Sequence, residues 1–223
     1  MNAMYYNDDP IYAKLYPFNN LPNAENYCYS ILNYLLDLPK GSYTPTDEGP
    51  RADLIRLLWY DTPDALSRTA HSLPTAAEKT SLVYKPDVPN PSAEQAPQGY
   101  RLFLQQRISE AQLDQKTELR VFPSYVDPAS DFSAKQVIQF QILCGMSINP
   151  LAGGQSRAYS IALNLIRALN GVDFGGSINV LHFNRIFHRS CGIEPFSDAR
   201  YNLGYNLIMA TEFATDGGEP VCR

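Results

Sequence analysis

From Tyr201 to Phe213 the chain alternates without a break. Tyr201, Leu203, Tyr205, Leu207, Met209, Thr211 and Phe213 fall on one side, and Asn202, Gly204, Asn206, Ile208, Ala210 and Glu212 on the other. A period of two belongs to a strand, so this run predicts one long strand with its first face on a core. At about 3.3 Å per residue such a strand spans roughly 40 Å. Its backbone groups must be paired, which implies a sheet. Extension of that sheet between subunits would pair the edges left over. The second face is small and polar. It is expected to meet solvent, or another subunit closely.

The neighbouring segments supply that sheet. Lys135 to Gly145 alternates Ile138, Phe140, Ile142 and Cys144 against Val137, Gln139, Gln141 and Leu143. Glu118 to Tyr125, Tyr100 to Arg107 and Ser177 to Phe187 also read as strands, and Ser190 to Ala199 as a loop. Between them a turn at Asn149–Gly154 leads into a helix near Gln155. Ala158, Ile161, Ala162, Leu165 and Leu169 form its apolar stripe, with Arg157, Asn164, Arg167 and Asn170 off it. Gly171 is the expected stop. From residue 118 the order is strand, strand, helix, strand, strand. That predicts an α+β fold: a mostly antiparallel sheet with one amphipathic helix packed on it. The core is assigned to residues 100–223.

Residues 1–99 read as an N-terminal arm, short helices and a Pro-rich excursion. The arm carries Tyr5, Tyr6, Tyr12, Tyr16 and Phe18 with no period. Asn23 can cap a helix whose face is Tyr27, Ile31, Tyr34, Leu35 and Leu38, ending at Pro39-Lys40-Gly41. Arg51 to Tyr60 is a short helix or strand, and Ala65 to His71 is also read as helical. Residues 72–99 hold Pro74, Pro86, Pro89, Pro91 and Pro97, and only Leu82, Val83 and Tyr84 look strand-like. A loop this long is expected to reach a partner.

Composition narrows the function. Only 18% of residues are charged, while 15 Tyr, 10 Phe and 17 Pro point to uncharged polar surface that is cheap to desolvate against another protein. A net charge of −5 argues against a general nucleic-acid binder. It permits a ring through whose lumen DNA passes. Cys28, Cys144, Cys191 and Cys222 include no CxxC pair and read as free thiols in a reducing compartment. No signal peptide and no apolar run of membrane-spanning length is visible, so folding in a cytoplasm is expected.

Chemistry is sparse. The histidines are His71, His182 and His188. No G-x-S-x-G elbow occurs. Gly153-Gly154-Gln155-Ser156-Arg157 lacks the lysine of a phosphate loop and reads as a turn entering a helix. The pairs Asp8-Asp9 and Asp47-Glu48 lie in polar loops. His182, His188 and Cys191 could together form a Cys/His pair or a metal site. They define the alternative reading: a small metal- or Cys/His-dependent hydrolase.

Val137-Ile138-Gln139-Phe140-Gln141-Ile142-Leu143, the helix from Ala158 through Ile161-Ala162 to Leu165 and Leu169, and the strand Tyr201–Phe213 together resemble the tail terminator and neck proteins of tailed bacteriophages. The resemblance covers about residues 100–214. It implies a virion structural protein at the head-tail junction, capping the tail tube and joining it to the connector. It implies no enzyme activity and no cofactor. The implied partners are further copies of the chain in a sixfold or twelvefold ring, and tail tube, sheath or connector proteins. DNA would pass through the lumen without specific binding. No membrane partner is implied, and synthesis would be in the cytoplasm of a bacterial host. The expected subunit-interface residues are Tyr5, Tyr6, Tyr12, Tyr16, Tyr84, Asn202, Asn206 and Glu212.

Overall fold

The computed structural model describes residues 24–39, 45–84, 99–104, 116–128, 133–174, 180–198 and 202–214. Tyr5, Tyr6, Tyr12, Tyr16, the Asn23 cap, residues 85–98 of the Pro-rich excursion, the Asn202 side chain and Cys222 lie outside the described residues.

The long alternating segments form the middle of the sheet. β1 (Leu102–Phe103), β2 (Thr117–Pro128), β3 (Ser133–Gly145), β4 (Gly192–Asp198) and β5 (Asn202–Ala214) are ordered β1-β2-β3-β5-β4. β1 runs parallel to β2, and the other pairs are antiparallel. β3 and β5 pair along their whole length, from Ser133↔Ala214 to Gly145↔Asn202. A bulge between Pro123 and Tyr125 shifts the β2 register, so Tyr125 faces the same side as Phe122. The fold is α+β, as the periodicity predicts.

Ile138, Phe140, Ile142 and Cys144 join Leu119, Val121, Leu207 and Met209 in one apolar cluster under the helices. α4 (Arg157–Leu169) lies over β3 and β5 and buries Ala158, Ile161, Ala162, Leu165 and Leu169. Two earlier helices complete this layer: α1 (Ala24–Leu36) lies over β2, and α2 (Pro50–Trp59) packs on α4. Their residues Ile31, Leu35, Leu54, Ile55 and Leu58 belong to the same cluster. The described helices α1 and α2 and the sheet therefore share a core.

Each helix has a physical stop or start. α1 ends before Pro39, at Asp37, whose φ of 50° is left-handed. Arg51 holds that carboxylate at 2.9 Å, and Lys79 donates to its carbonyl at 3.3 Å. Pro50 opens α2, where its missing N–H costs nothing. The short α3 (Ala76–Ser81) opens with a capping box between Thr75 and Glu78. Residues 65–71, read as helical, form turns instead.

The fourth strand is not where alternation places it. Across 180–188 the chain makes only a bridge, His182↔Ala210, and then turns. β4 occupies Gly192–Asp198, the stretch that Gly192 and Pro195 mark as a loop. An edge strand tolerates proline because one side of it needs no donor. Pro195 also interrupts the row of groups on the free edge of β4, making that edge a poor template for sheet extension.

The second face of β5 is only partly open. The Phe196 ring lies over Gly204, where a Cβ would come within 2.7 Å of it. Ala210 is covered in a small cluster with Val137, Cys191, Phe187 and Ile208. At Gly204 and Ala210 the small residues of this face thus make room for the chain's own aromatic and loop, while Asn206 and Glu212 stay partly exposed.

Candidate assembly surface

The loop between the His182 bridge and β4 folds across the outer face of the sheet, opposite the helices. It brings together the three residues of the hydrolase reading. The His182 ring lies tilted against Phe187 with ring centres 4.1 Å apart. His188 is buried. Its Nδ1 accepts the backbone N–H of Ser190 at 3.2 Å, which places the proton on Nε2, 3.2 Å from Asp127 Oδ2. The ring's lone pair is therefore already engaged and is not directed at a nucleophile. The Ser190 hydroxyl bonds to Tyr125, not to the imidazole.

The Cys191 thiol points at the His182 carbonyl at 3.6 Å, and burial pushes its pKa up. A reactive cysteine needs the opposite shift. Among the described residues no three His, Cys, Asp or Glu side chains are grouped to hold a metal ion. Cys144 lies under the helices, where burial pushes its thiol up to about 11. In the native protein at about pH 8, an aromatic disulfide reagent is therefore expected to leave Cys28, Cys144 and Cys191 unmodified until denaturant is added. Rapid native labelling of Cys191 would restore the Cys/His reading.

The wiring around His188 instead fixes a loop. Lys135 donates to the Phe187 carbonyl at 2.7 Å and sits 4.6 Å above its ring. Arg185 donates to the Cys191 carbonyl at 3.1 Å. Asp127 and Tyr125 come from β2, Lys135 from β3, and the backbone bridge from β5, so three strands hold one loop. Sequence spacing hides this set because Asp127 and His188 lie 61 residues apart.

Further along the outer face, register aligns Arg120, Gln141, Asn206 and Glu194 in one polar row. Arg120 bonds to Gln141 and Glu118, each at 3.0 Å. Asn206 lies between Gln141 and Glu194. Its amide oxygen is buried without a hydrogen bond among the described residues. Glu212 faces the same side nearer the loop. Tyr84 lies at the other edge of the sheet, against Tyr100 and Phe103. Asn206 and Glu212 thus share a face that Tyr84 does not join.

At the entry to α4, Ser156 caps the helix by accepting from Tyr159 N–H. The Arg157 guanidinium turns inward and is buried. It donates to Ile148, Leu57, Tyr60 and Thr62 carbonyls. The basic residue of this Gly-rich stretch therefore braces the core and does not front an anion site. No described helix is long and apolar enough to cross a membrane.

No curated protein and no solved structure matches the sequence. The YomW family profile matches residues 52–211, from the third residue of α2 into β5. That span is well over half the chain and includes both layers of the fold. The chain therefore belongs to the YomW family, a phage-derived family.

Proposed function

We propose that this phage protein is a structural component of the virion, forming a ring at the head-tail junction as a tail terminator or neck protein. The observation that carries the reading is the sheet itself. β3 and β5, the two strands on which the resemblance rests, are the paired centre of a mostly antiparallel sheet, with α4 lying across them. Membership of a phage-derived family supports it. So does the engagement of His182, His188 and Cys191 in fixing a loop. In this reading the partners are identical copies, the tail tube and the connector. DNA threads the lumen without specific contacts, consistent with a net charge of −5.

Ring contacts are heterologous: one patch meets a different patch on the next subunit. The aromatic arm, with Tyr5, Tyr6, Tyr12 and Tyr16, is one contact in this proposal. Deleting residues 1–20 is expected to weaken assembly while leaving the thermal midpoint of the core nearly unchanged. Sedimentation velocity and differential scanning calorimetry on the same preparation check both halves. A truncated chain that forms rings at full yield would contradict the arm's role.

A further inference from the structure

A second polar feature lies on the opposite layer, along the outward side of α4. Ser160, Asn164 and Arg167 follow one another at spacings of four and three, so they form one row on the helix. They line a cleft of about 340 Å³, which Asp53 closes from the first turn of α2 and Leu66 from the turns after it. That volume is at the lower end of the range of small-molecule sites.

The polar groups in the cleft are not spent on one another. Asn164 is only 6% exposed, yet among the described residues its carboxamide makes no hydrogen bond, and it opens into the cleft. The Arg167 guanidinium likewise has no hydrogen bond or ion pair there. Asp53 has one ion-pair partner, Arg56 at 3.7 Å, and that arginine is also bound to Asp47. The carboxylate therefore keeps acceptor sites to spare. Exposed Tyr159 adds an aromatic ring to the lining.

This set selects by chemistry. A guanidinium only donates, a carboxylate only accepts, and a carboxamide does both. An anion seated here would face Asp53, and a cation would face Arg167. A neutral ligand with several adjacent hydroxyls suits all three, because each hydroxyl both donates and accepts. Such hydroxyls reproduce the hydrogen bonds that water makes to these groups. The C–H side of a pyranose ring also matches the faces of Tyr159 and Leu66.

We infer that the cleft between α2 and α4 binds a neutral saccharide, whose hydroxyls are shared among Asp53, Asn164 and Arg167 and whose ring lies against Tyr159. The site lies within one subunit, so it stands or falls separately from the ring reading. The test titrates the full-length, ¹⁵N-labelled chain with maltose, cellobiose and N,N′-diacetylchitobiose, with sodium acetate and ammonium chloride as charged controls. Amide shifts are followed by nuclear magnetic resonance. At least one disaccharide is expected to shift the Asn164 side-chain amide and the Ser160 backbone amide, with millimolar affinity. Arg167→Ala and Asp53→Asn should each weaken that binding about tenfold. Arg167 has no partner to lose, so its result stands even if Asp53→Asn disturbs the Arg56 pair. Three disaccharides that leave both amides in place would overturn the inference. Shifts with acetate alone would make the cleft an anion site and overturn it as well. So would disaccharide binding of wild-type strength in both variants.

Discussion

Arg157→Ala is expected to be the most destabilising single substitution in the described fold, by about 4 kcal/mol. The Arg157 guanidinium is fully buried and reaches four backbone carbonyls: Ile148 at 2.8 Å, Leu57 at 2.9 Å, Thr62 at 2.6 Å and Tyr60. Two of these close the end of α2. Its last-turn carbonyls have no intrahelical donor, and the Leu57 carbonyl finds one in Arg157. A cation at that end also suits the helix dipole. Burial lowers the arginine's pKa, yet the group stays charged at any ordinary pH.

Alanine would strand these acceptors in a dry core and leave a cavity the size of the side chain. Arg157→Lys should recover only part of the loss, because one ammonium cannot span carbonyls on both sides of a planar fork. For a chain of this size the melting temperature should fall by roughly 10 °C for alanine and about half that for lysine. Urea midpoints with unchanged slope would confirm that stability, and not compactness, has changed. An alanine variant within about 1 kcal/mol of wild type would mean that the guanidinium does not hold α2 to α4.

Gly204→Ala is the second large effect, at about 3 kcal/mol. A Cβ there would sit 2.2 Å from the Ile142 carbonyl oxygen and 2.7 Å from the Phe196 ring. The ring can rotate, but the carbonyl belongs to β3, in the ladder that joins the two longest strands. Relief therefore requires local opening of the β3–β5 pairing. The double variant Gly204→Ala/Phe196→Leu should keep most of the loss, since the nearer atom is backbone. Gly153→Ala provides the contrast. Nothing lies within 4 Å of its Cβ position, and only its φ of 90° is strained, so it should cost about 1 kcal/mol. Equal effects at the two glycines would refute the close approach at Gly204.

These positions show which parts of the fold are written locally. β3, β5 and α4 are legible because period two and period 3.6 are carried by unbroken apolar patterns. The capping box Thr75–Glu78 marks α3 just as directly, although the surrounding prolines suggest an extended excursion. β4 is illegible for the opposite reason. Gly192 and Pro195 are breakers in isolation, and only the free edge beside β5 lets them stand in a strand. The alternation from Ile178 to Arg185 misleads because Phe183 and Phe187 pack on two different clusters, one on each side of the sheet. Arg157 falls off the apolar stripe of α4 and so reads as solvated. Its carbonyl partners on Leu57, Tyr60 and Thr62 lie 95 to 100 residues away.

The candidate surface is legible in the same uneven way. The residues around the loop were visible as His182, His188 and Cys191, a pattern equally suited to chemistry or to packing. What separates those readings is which atom each nitrogen and sulfur meets, and spacing does not encode that. Ile186 sits between Arg185 and Phe187 in a run that looks like a buried strand. Only the turn built on Asn184 turns it outward.

Electron micrographs of the purified full-length chain, classified without imposed symmetry, decide whether the protein forms a ring. Closed rings of one discrete size, with a central opening wide enough for duplex DNA, are expected. Particles that remain single subunits at every concentration examined, with a native mass of one 25.0 kDa chain, would contradict a ring.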